Sequence, residues 1–383
     1  MKNKKIPKGL RDLLPEEVRK KRIIEARLIS LFASYGYKEV ITPTFEYLEV
    51  IEAGTGNIRE ELFLFLDREG GILSLRPEMT VSIARLASIH LAEEKFPQRL
   101  CYIANVFRHV QPQLARYREF WQAGIELLGA SGVWADVEVI SLAVKALKAI
   151  GVKDFKVSIN QIGIFNSLLE DGSLDYEDRV RIRELIEKKD LVELTRLLES
   201  MDIDEGLKET LVKMPVLHGG LEILDQLPYI ERNARASAAA LDLIEIYEAL
   251  KLCGVIENIV VDTGVLRGLD YYTGIVFEGY SPDLGYGLLG GGRYDNLLGK
   301  FGLDRPATGF AIGIDRLALI VDEPCPTSPV YLVGGRDIGQ VMKKCEELRL
   351  MGYVVEMDVE RRSRNELEEK AGTVPGCQVV YID

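Results

Sequence analysis

Arg118-Glu119-Phe120-Trp121-Gln122-Ala123-Gly124-Ile125-Glu126 is where polar chemistry and strand patterning coincide in this sequence. Successive side chains of a strand point to opposite faces. Gln122, Gly124 and Glu126 therefore share one face, while Trp121, Ala123, Ile125 and Leu127 share the other. A polar face with a glycine at its centre makes a floor for a small ligand. A glutamate there suits an ammonium, and a glutamine offers both donor and acceptor. The same pattern also fits a sheet with one face in water.

Other segments add candidates of the same kind. Arg108, Arg116 and Arg118 surround a polar connection, and guanidinium forks match phosphate oxygens; as surface charges they carry nothing. Leu75-Arg76-Pro77-Glu78-Met79-Thr80 puts a carboxylate and a hydroxyl just before an apolar helix from Val81 to Leu91. Thr80 is a ligand group there or a helix cap, and Glu78 a ligand group or a partner of the helix dipole. Leu266 to Gly274 packs Arg267, Asp270, Tyr271 and Tyr272 between glycines. Such a set is costly to bury without partners, and ligand contacts would supply them. Gly290-Gly291-Gly292-Arg293-Tyr294-Asp295 lacks the GK[ST] ending of a P-loop and fits a tight turn. Thr308 to Ile320 reads as a helix made small on part of its surface by Gly309, Ala311 and Gly313, with Arg316 either paired in the core or reaching a ligand.

The elements that must position these residues alternate in character. An amphipathic helix is predicted over Glu16–Ser34, with Ile24, Leu28, Leu31 and Phe32 on one face. A short strand follows at Lys38–Thr42. A hairpin is predicted from 62–66 and 72–75, and a second strand pair from 99–109 and 118–128. A helix at 133–150 and a strand near 157–159 come next. Charged helical stretches dominate from about 166 to 252 and read as an all-α insertion. Strands return at 258–262 and 275–280, and a helix over about 306–321 closes the unit. Pro324, Pro326 and Pro329 mark a linker. The last residues read strand, helix, strand, helix, strand. The expected organisation is α+β, with a core domain over 1–323 and a small α/β module over 324–383.

The 383 residues, 47% of them hydrophobic and 28% charged, can bury a large core and exclude a disordered chain. No apolar run reaches the ~20 residues of a membrane helix, and the basic N-terminus has no apolar stretch behind it, so a soluble cytoplasmic chain is expected. Cys101, Cys253, Cys325, Cys345 and Cys377 show no CxxC spacing, and with only His90, His109 and His218 beside them neither disulfides nor zinc are expected. No cofactor is implied. A net charge of −12 argues against a large nucleic-acid footprint.

In order along residues 7–321, Pro7 to Pro15, Arg76 to Thr80, Phe107-Arg108-His109, Pro112-Gln113, Arg116-Tyr117-Arg118, Gln122, Glu126, Arg267 to Tyr272, Gly290 to Asp295 and Gly313 to Arg316 resemble the motifs of histidyl-tRNA synthetases. That scaffold is shared by the synthetase and by the synthetase-like regulatory subunit of ATP phosphoribosyltransferase, which acts in the first step of histidine biosynthesis. Both imply a class II fold, a mainly antiparallel sheet flanked by helices, and a dimer.

The departures favour the regulatory subunit. Val110-Gln111 stand where the synthetase has Glu-Arg, a glutamate that helps to hold ATP. Met79 replaces a small glycine, and Asp315 a glutamate. The C-terminal module stops after its third strand, and residues 324–383 hold eight Lys/Arg against ten Asp/Glu, giving no basic anticodon surface. The retained Arg108, Arg267 and Arg316 keep the synthetase as the alternative. The resemblance implies a histidine site of Glu78, Thr80, Gln122, Glu126, Arg267, Tyr271 and Tyr272. The carboxylates would face the α-ammonium, Arg267 the carboxylate, and the tyrosines the imidazole. Arg108, Arg116 and Arg316 would form a residual nucleotide or phosphate site. The implied partners are L-histidine, the short catalytic subunit of ATP phosphoribosyltransferase and a second copy of the chain. No catalytic residue, tRNA or membrane is expected.

Overall fold

Glu17 starts the first helix by accepting the Leu14 backbone N–H at 2.9 Å, with Pro15 in the first turn. The structure is a computed structural model that describes residues 5–55, 58–111, 117–171, 174–266, 271–321 and 330–383. Arg116 and Arg267 lie outside the described residues. The chain forms two compact units, Met1–Val321 and Asp322–Asp383.

In the first unit, α1 (Pro15–Ser34) is followed by β1 (Lys38–Glu39), β2 (Phe45–Tyr47), α2 (Leu48–Thr55), β3 (Leu64–Leu66), β4 (Ile72–Leu75) and α3 (Thr80–His90). The long hairpin β5 (Gln98–Phe107) and β6 (Glu119–Leu128) leads into α4 (Val133–Ile150) and β7 (Lys156–Gln161). Helices α5 (Ile162–Asp171), α6 (Tyr176–Glu187), α7 (Leu191–Glu199) and α8 (Glu205–Lys213) come next. They are followed by β8 (His218–Gly219), α9 (Ala234–Leu252) and β9 (Ile259–Asp262). Strands β10 (Ile275–Tyr280), β11 (Leu289–Arg293) and β12 (Ala307–Gly313) and helix α10 (Ile314–Ile320) close the unit.

Nine of these strands make one sheet in the order β1-β5-β6-β12-β11-β10-β7-β9-β8. The run from β5 to β7 is antiparallel throughout. A second sheet, β2-β4-β3, lies beside it. One face of the large sheet carries Ala123, Ile125, Phe277, Phe310 and Ile312. It packs against Ile24, Leu28 and Phe32 of α1 and the apolar side of α4. The opposite face carries Leu100, Tyr102, Ala104 and Val276, covered in part by α2 and α3 through Ile51, Val81 and Ile83. A sheet with both faces covered only in part by helices leaves a gap on the second face.

The expected helix over 306–321 is corrected: residues 307–313 are strand β12, and only Ile314–Ile320 is helical. Gly309, Ala311 and Gly313 alternate with Phe310 and Ile312, so the small residues line one face and the large ones the core. Small residues suit a central strand whose neighbours press in from both sides. The glycine triplet is likewise strand β11 rather than a turn. A Cβ on Gly291 would meet the Gly309 carbonyl and the Phe277 ring.

The second unit contains β13 (Val330–Gly335), α11 (Ile338–Leu350), β14 (Val354–Met357), α12 (Arg364–Gly372) and β15 (Gln378–Ile382). Its parallel sheet runs β14-β13-β15. Val333, Val341, Cys345 and Leu348 pack on one face and Leu332, Leu367 and Ala371 on the other.

Candidate functional site

Sheet register builds the site. Gln122, Gly124 and Glu126 of β6 stand opposite Gly313, Ala311 and Gly309 of β12 on one side and Ala104, Tyr102 and Leu100 of β5 on the other. A Cβ on Gly124 would strike the Tyr102 hydroxyl, and one on Gly309 would strike the Glu126 carboxylate. The missing side chains thus make room for Tyr102 and Glu126 to lie across the floor.

Above this floor is a small cavity of about 50 Å³ lined by Glu78, Thr80, Gln122, Glu126, Tyr271 and Tyr272, among others. Six of the seven residues implied by the resemblance therefore converge, and Arg267 alone falls outside the described residues. Glu126 is 1% exposed. It accepts the Thr80 hydroxyl at 2.9 Å and the Tyr294 hydroxyl on its other oxygen. Burial pushes its carboxyl up to about 8, against the pull of those two hydroxyls, with the Glu78 charge adding to the rise.

Glu78 is held differently. Its two carboxylate oxygens accept the backbone N–H groups of Thr80 and Val81, each at 2.7 Å. It caps α3 through these two bonds, and the Thr80 hydroxyl beside it donates to Glu126. Burial raises the Glu78 carboxyl, and the two N–H bonds, the Thr80 hydroxyl and the Arg108 charge oppose that rise. The Tyr271 and Tyr272 rings stand 4.8 Å apart, and Tyr271 meets Tyr294 edge-on at 5.7 Å.

The cavity opens into a larger cleft of about 370 Å³ through Arg108, Gln122, Gly290 and Ala311, which line both. Arg108 and Arg316 both reach this cleft. Arg108 donates to the Pro77 carbonyl at 3.0 Å, and Arg316 donates to the Gly287 carbonyl beside the Tyr286 ring. Asp315 turns away from Arg316: it accepts Arg11 at 2.6 Å and the Trp121 backbone N–H at 2.5 Å. Arg76 is structural. Its guanidinium is spent on the Thr42 and Pro43 carbonyls and on Asn105.

Two site residues escaped the sequence reading. Tyr294 stood in the glycine-rich motif without a role, and Tyr102 belonged to an ordinary apolar strand. The place of Tyr102 on the same strand face as Leu100 and Ala104, two residues away on either side, is a usable signal. Tyr294 offered none, because its partner is far away in sequence. Among the described residues no group of His, Cys, Asp and Glu could hold a metal ion, and no helix is long and apolar enough to cross a membrane.

A deep polar cavity over an antiparallel sheet, opening to an arginine-lined cleft, is the plan of a class II synthetase. The histidyl-tRNA synthetase family model matches residues 9–317, and the chain belongs to that family. An ATP phosphoribosyltransferase regulatory subunit of Moorella thermoacetica is 44% identical over 96% of this chain and 95% of its own length. A histidine–tRNA ligase of Methanocaldococcus jannaschii is 39% identical over 98% and 91%. A Bacillus halodurans crystal structure described as an ATP phosphoribosyltransferase regulatory subunit/histidyl-tRNA synthetase superposes with a TM-score of 0.88. It is 30% identical and covers 99% of this chain and 98% of that one. The resemblance to ATP phosphoribosyltransferase regulatory subunits thus runs along nearly the whole chain, and the class II fold extends with it.

Proposed function

We propose that this chain is the histidine-binding regulatory subunit of ATP phosphoribosyltransferase, required by a short catalytic partner and without chemistry of its own. The observation that carries the reading is the buried Glu126 carboxyl group, which has hydroxyl partners but no cation among the described residues and lies at the end of the cavity. Histidine would regulate by binding one state of the complex more tightly than the other; a tenfold preference amounts to about 1.4 kcal/mol.

Depth favours a second orientation of the ligand. Glu126 and Tyr294 line only the inner cavity, whereas Gln122 and Arg108 stand at its opening. In that orientation the imidazole points inward to Glu126, and the α-amino and carboxylate groups point outward to Gln122 and Arg108. The two orientations differ in their pH dependence. In the empty site Glu126 holds its proton up to about pH 8. A carboxyl–imidazole pair binds one proton in total, so between about pH 6.5 and 8 no net proton is exchanged and affinity stays flat. Above pH 8 the complex must take up a proton and affinity falls, roughly tenfold per unit. With the ammonium inward, binding would instead release a proton, and affinity would climb up to pH 8. Calorimetry in buffers of different ionisation enthalpy distinguishes the two.

The synthetase reading is tested by aminoacylation. Val110-Gln111 and the acidic balance of residues 324–383 lead to the expectation that the purified chain does not charge tRNA-His. Turnover near the ~1–10³ s⁻¹ typical of enzymes would overturn this. A cytoplasmic homodimer completes the proposal. Ile41, Phe45, Tyr47, Leu66 and Ile72, on or beside the β2-β4-β3 sheet, are all more than two-fifths exposed. An apolar patch of that kind marks an interface. Light scattering should give twice the 43.0 kDa chain mass. Leu66→Asp should shift the equilibrium to monomer, and a monomeric parent chain at micromolar concentration would reject the assignment.

A further inference from the structure

The face of the sheet that carries the histidine cavity continues past β11 to β10, β7 and β9 and ends in a cleft of about 700 Å³, which meets the arginine-lined cleft at Glu278, Tyr286 and Gly287. That volume lies within the range of small-molecule sites. Its floor is Ser158, Asp262 and Glu278, its walls include Tyr280 and Tyr286, and Glu187, Lys189 and His218 line its rim. Ser158 and Glu278 are direct cross-strand neighbours, and His218 stands opposite Asp262.

We propose that this cleft binds an elongated organic dication, an alkyl chain with an amine at one end and an amine or guanidine at the other. The floor presents negative charge: among the described residues the half-buried Glu278 carboxylate has no hydrogen-bond or ion-pair partner, and Asp262 accepts only the Gly264 backbone N–H, at 3.0 Å, while Arg316, which shares the neighbouring cleft with Glu278, donates to the Gly287 carbonyl. The exposed Lys189 offsets Glu187 at the rim but reaches neither floor carboxylate with an ion pair. A second observation is independent of charge. Ser158 is 2% exposed, lines the cleft and has no hydrogen-bond partner among the described residues, so its hydroxyl is an unfilled polar group facing the space.

The spacing selects an extended ligand. Val260 of β9 stands beside Ser158, and Asp262 lies two residues further on, across two strands from Glu278. Standard strand spacings put the two α-carbons roughly 12 Å apart. That is too far to converge on one ion, in keeping with the absence of a metal-holding group among the described residues. Two cationic groups joined by a short chain would reach both carboxylates. Tyr280 offers a ring face to a cation, and the Ser158 hydroxyl accepts an N–H beside Glu278.

The test uses the full chain saturated with histidine and titrates agmatine, with butylamine as the single-charge comparison. Agmatine is expected to bind at least tenfold tighter than butylamine. Glu278→Gln and Asp262→Asn should each weaken it at least tenfold, while Ser158→Ala should weaken it less. Histidine titrated into the same variants reads the inner cavity separately, so the proposed function stands or falls apart from this site. Agmatine binding no tighter than butylamine, or binding unchanged in both carboxylate variants, would overturn the proposal.

Discussion

Glu126→Gln is expected to weaken histidine binding by at least about tenfold while leaving the fold intact. Removing one partner of a buried charged pair costs about 2–5 kcal/mol, or roughly 30- to several-thousand-fold in affinity. The lower bound is set by the protonation of Glu126 in the empty site, since a ligand that finds a neutral carboxyl gains the ionic part only by moving the proton. Glutamine keeps the size and can still accept from Thr80 or Tyr294, but it cannot carry the charge opposite an imidazolium. Stability runs the other way. The folded carboxyl titrates near 8, above its unfolded value of about 4.3, so its cost to the fold is absent at low pH and grows as pH rises towards 8. Glutamine is neutral throughout, and the variant should be at least as stable as the parent at pH 9. Weak histidine binding therefore reports the pocket and not unfolding. Glu119→Gln, on the opposite face of the same strand and bonded to Asn105 at 2.9 Å, is the control and should bind like the parent. Both variants binding histidine like the parent would move the inhibitory site out of this cavity, to a subunit interface. If the pocket is the inhibitory site, Glu126→Gln should also relieve histidine inhibition of the assembled complex without loosening assembly.

The parts of this site that were legible in the sequence are those set by local periodicity. Alternation along residues 118–128 gave the floor its polar face, and α1 and α4 followed from apolar residues at helical spacing. What was not legible depends on pairing between distant segments. Tyr294 reaches Glu126 only because β6 and β11 both border β12, a register that no local pattern specifies. The direction of Glu78 is similar: from sequence it was a ligand group or a dipole partner, and only the two N–H bonds to α3 show that its oxygens are already engaged. Residues 307–313 failed for a different reason. Ala-Thr-Gly-Phe-Ala-Ile-Gly is a short apolar run in which periods of two and 3.6 both find matches, and the adjoining true helix α10 drew the boundary the wrong way.

That ambiguity leaves a decisive substitution at Gly309. In a helix, replacing glycine by alanine would stabilise the chain by up to about 1 kcal/mol. In strand β12 the added methyl would overlap the backbone carbonyl of Ile125 and the carboxylate of Glu126. The carboxylate can swing aside, but the carbonyl belongs to the neighbouring central strand and cannot move without disturbing the pairing of β6. Overpacking of this kind costs about 1–3 kcal/mol. A swing of Glu126 would also break its bonds to Thr80 and Tyr294, so histidine affinity should fall by at least about tenfold together with stability. Gly313→Ala is the matched control in the same strand and on the same face. Its Cβ would meet nothing closer than the flexible Arg316 side chain at 3.5 Å, an ordinary contact. Urea unfolding of the two variants, followed by calorimetry with histidine, should therefore separate them: Gly313→Ala close to the parent, Gly309→Ala less stable and poor at binding. A Gly309→Ala protein as stable as the parent that also bound histidine normally would mean that β12 does not press on the floor of the pocket. The close packing of β6 and β12 around Glu126 would then be wrong at its centre.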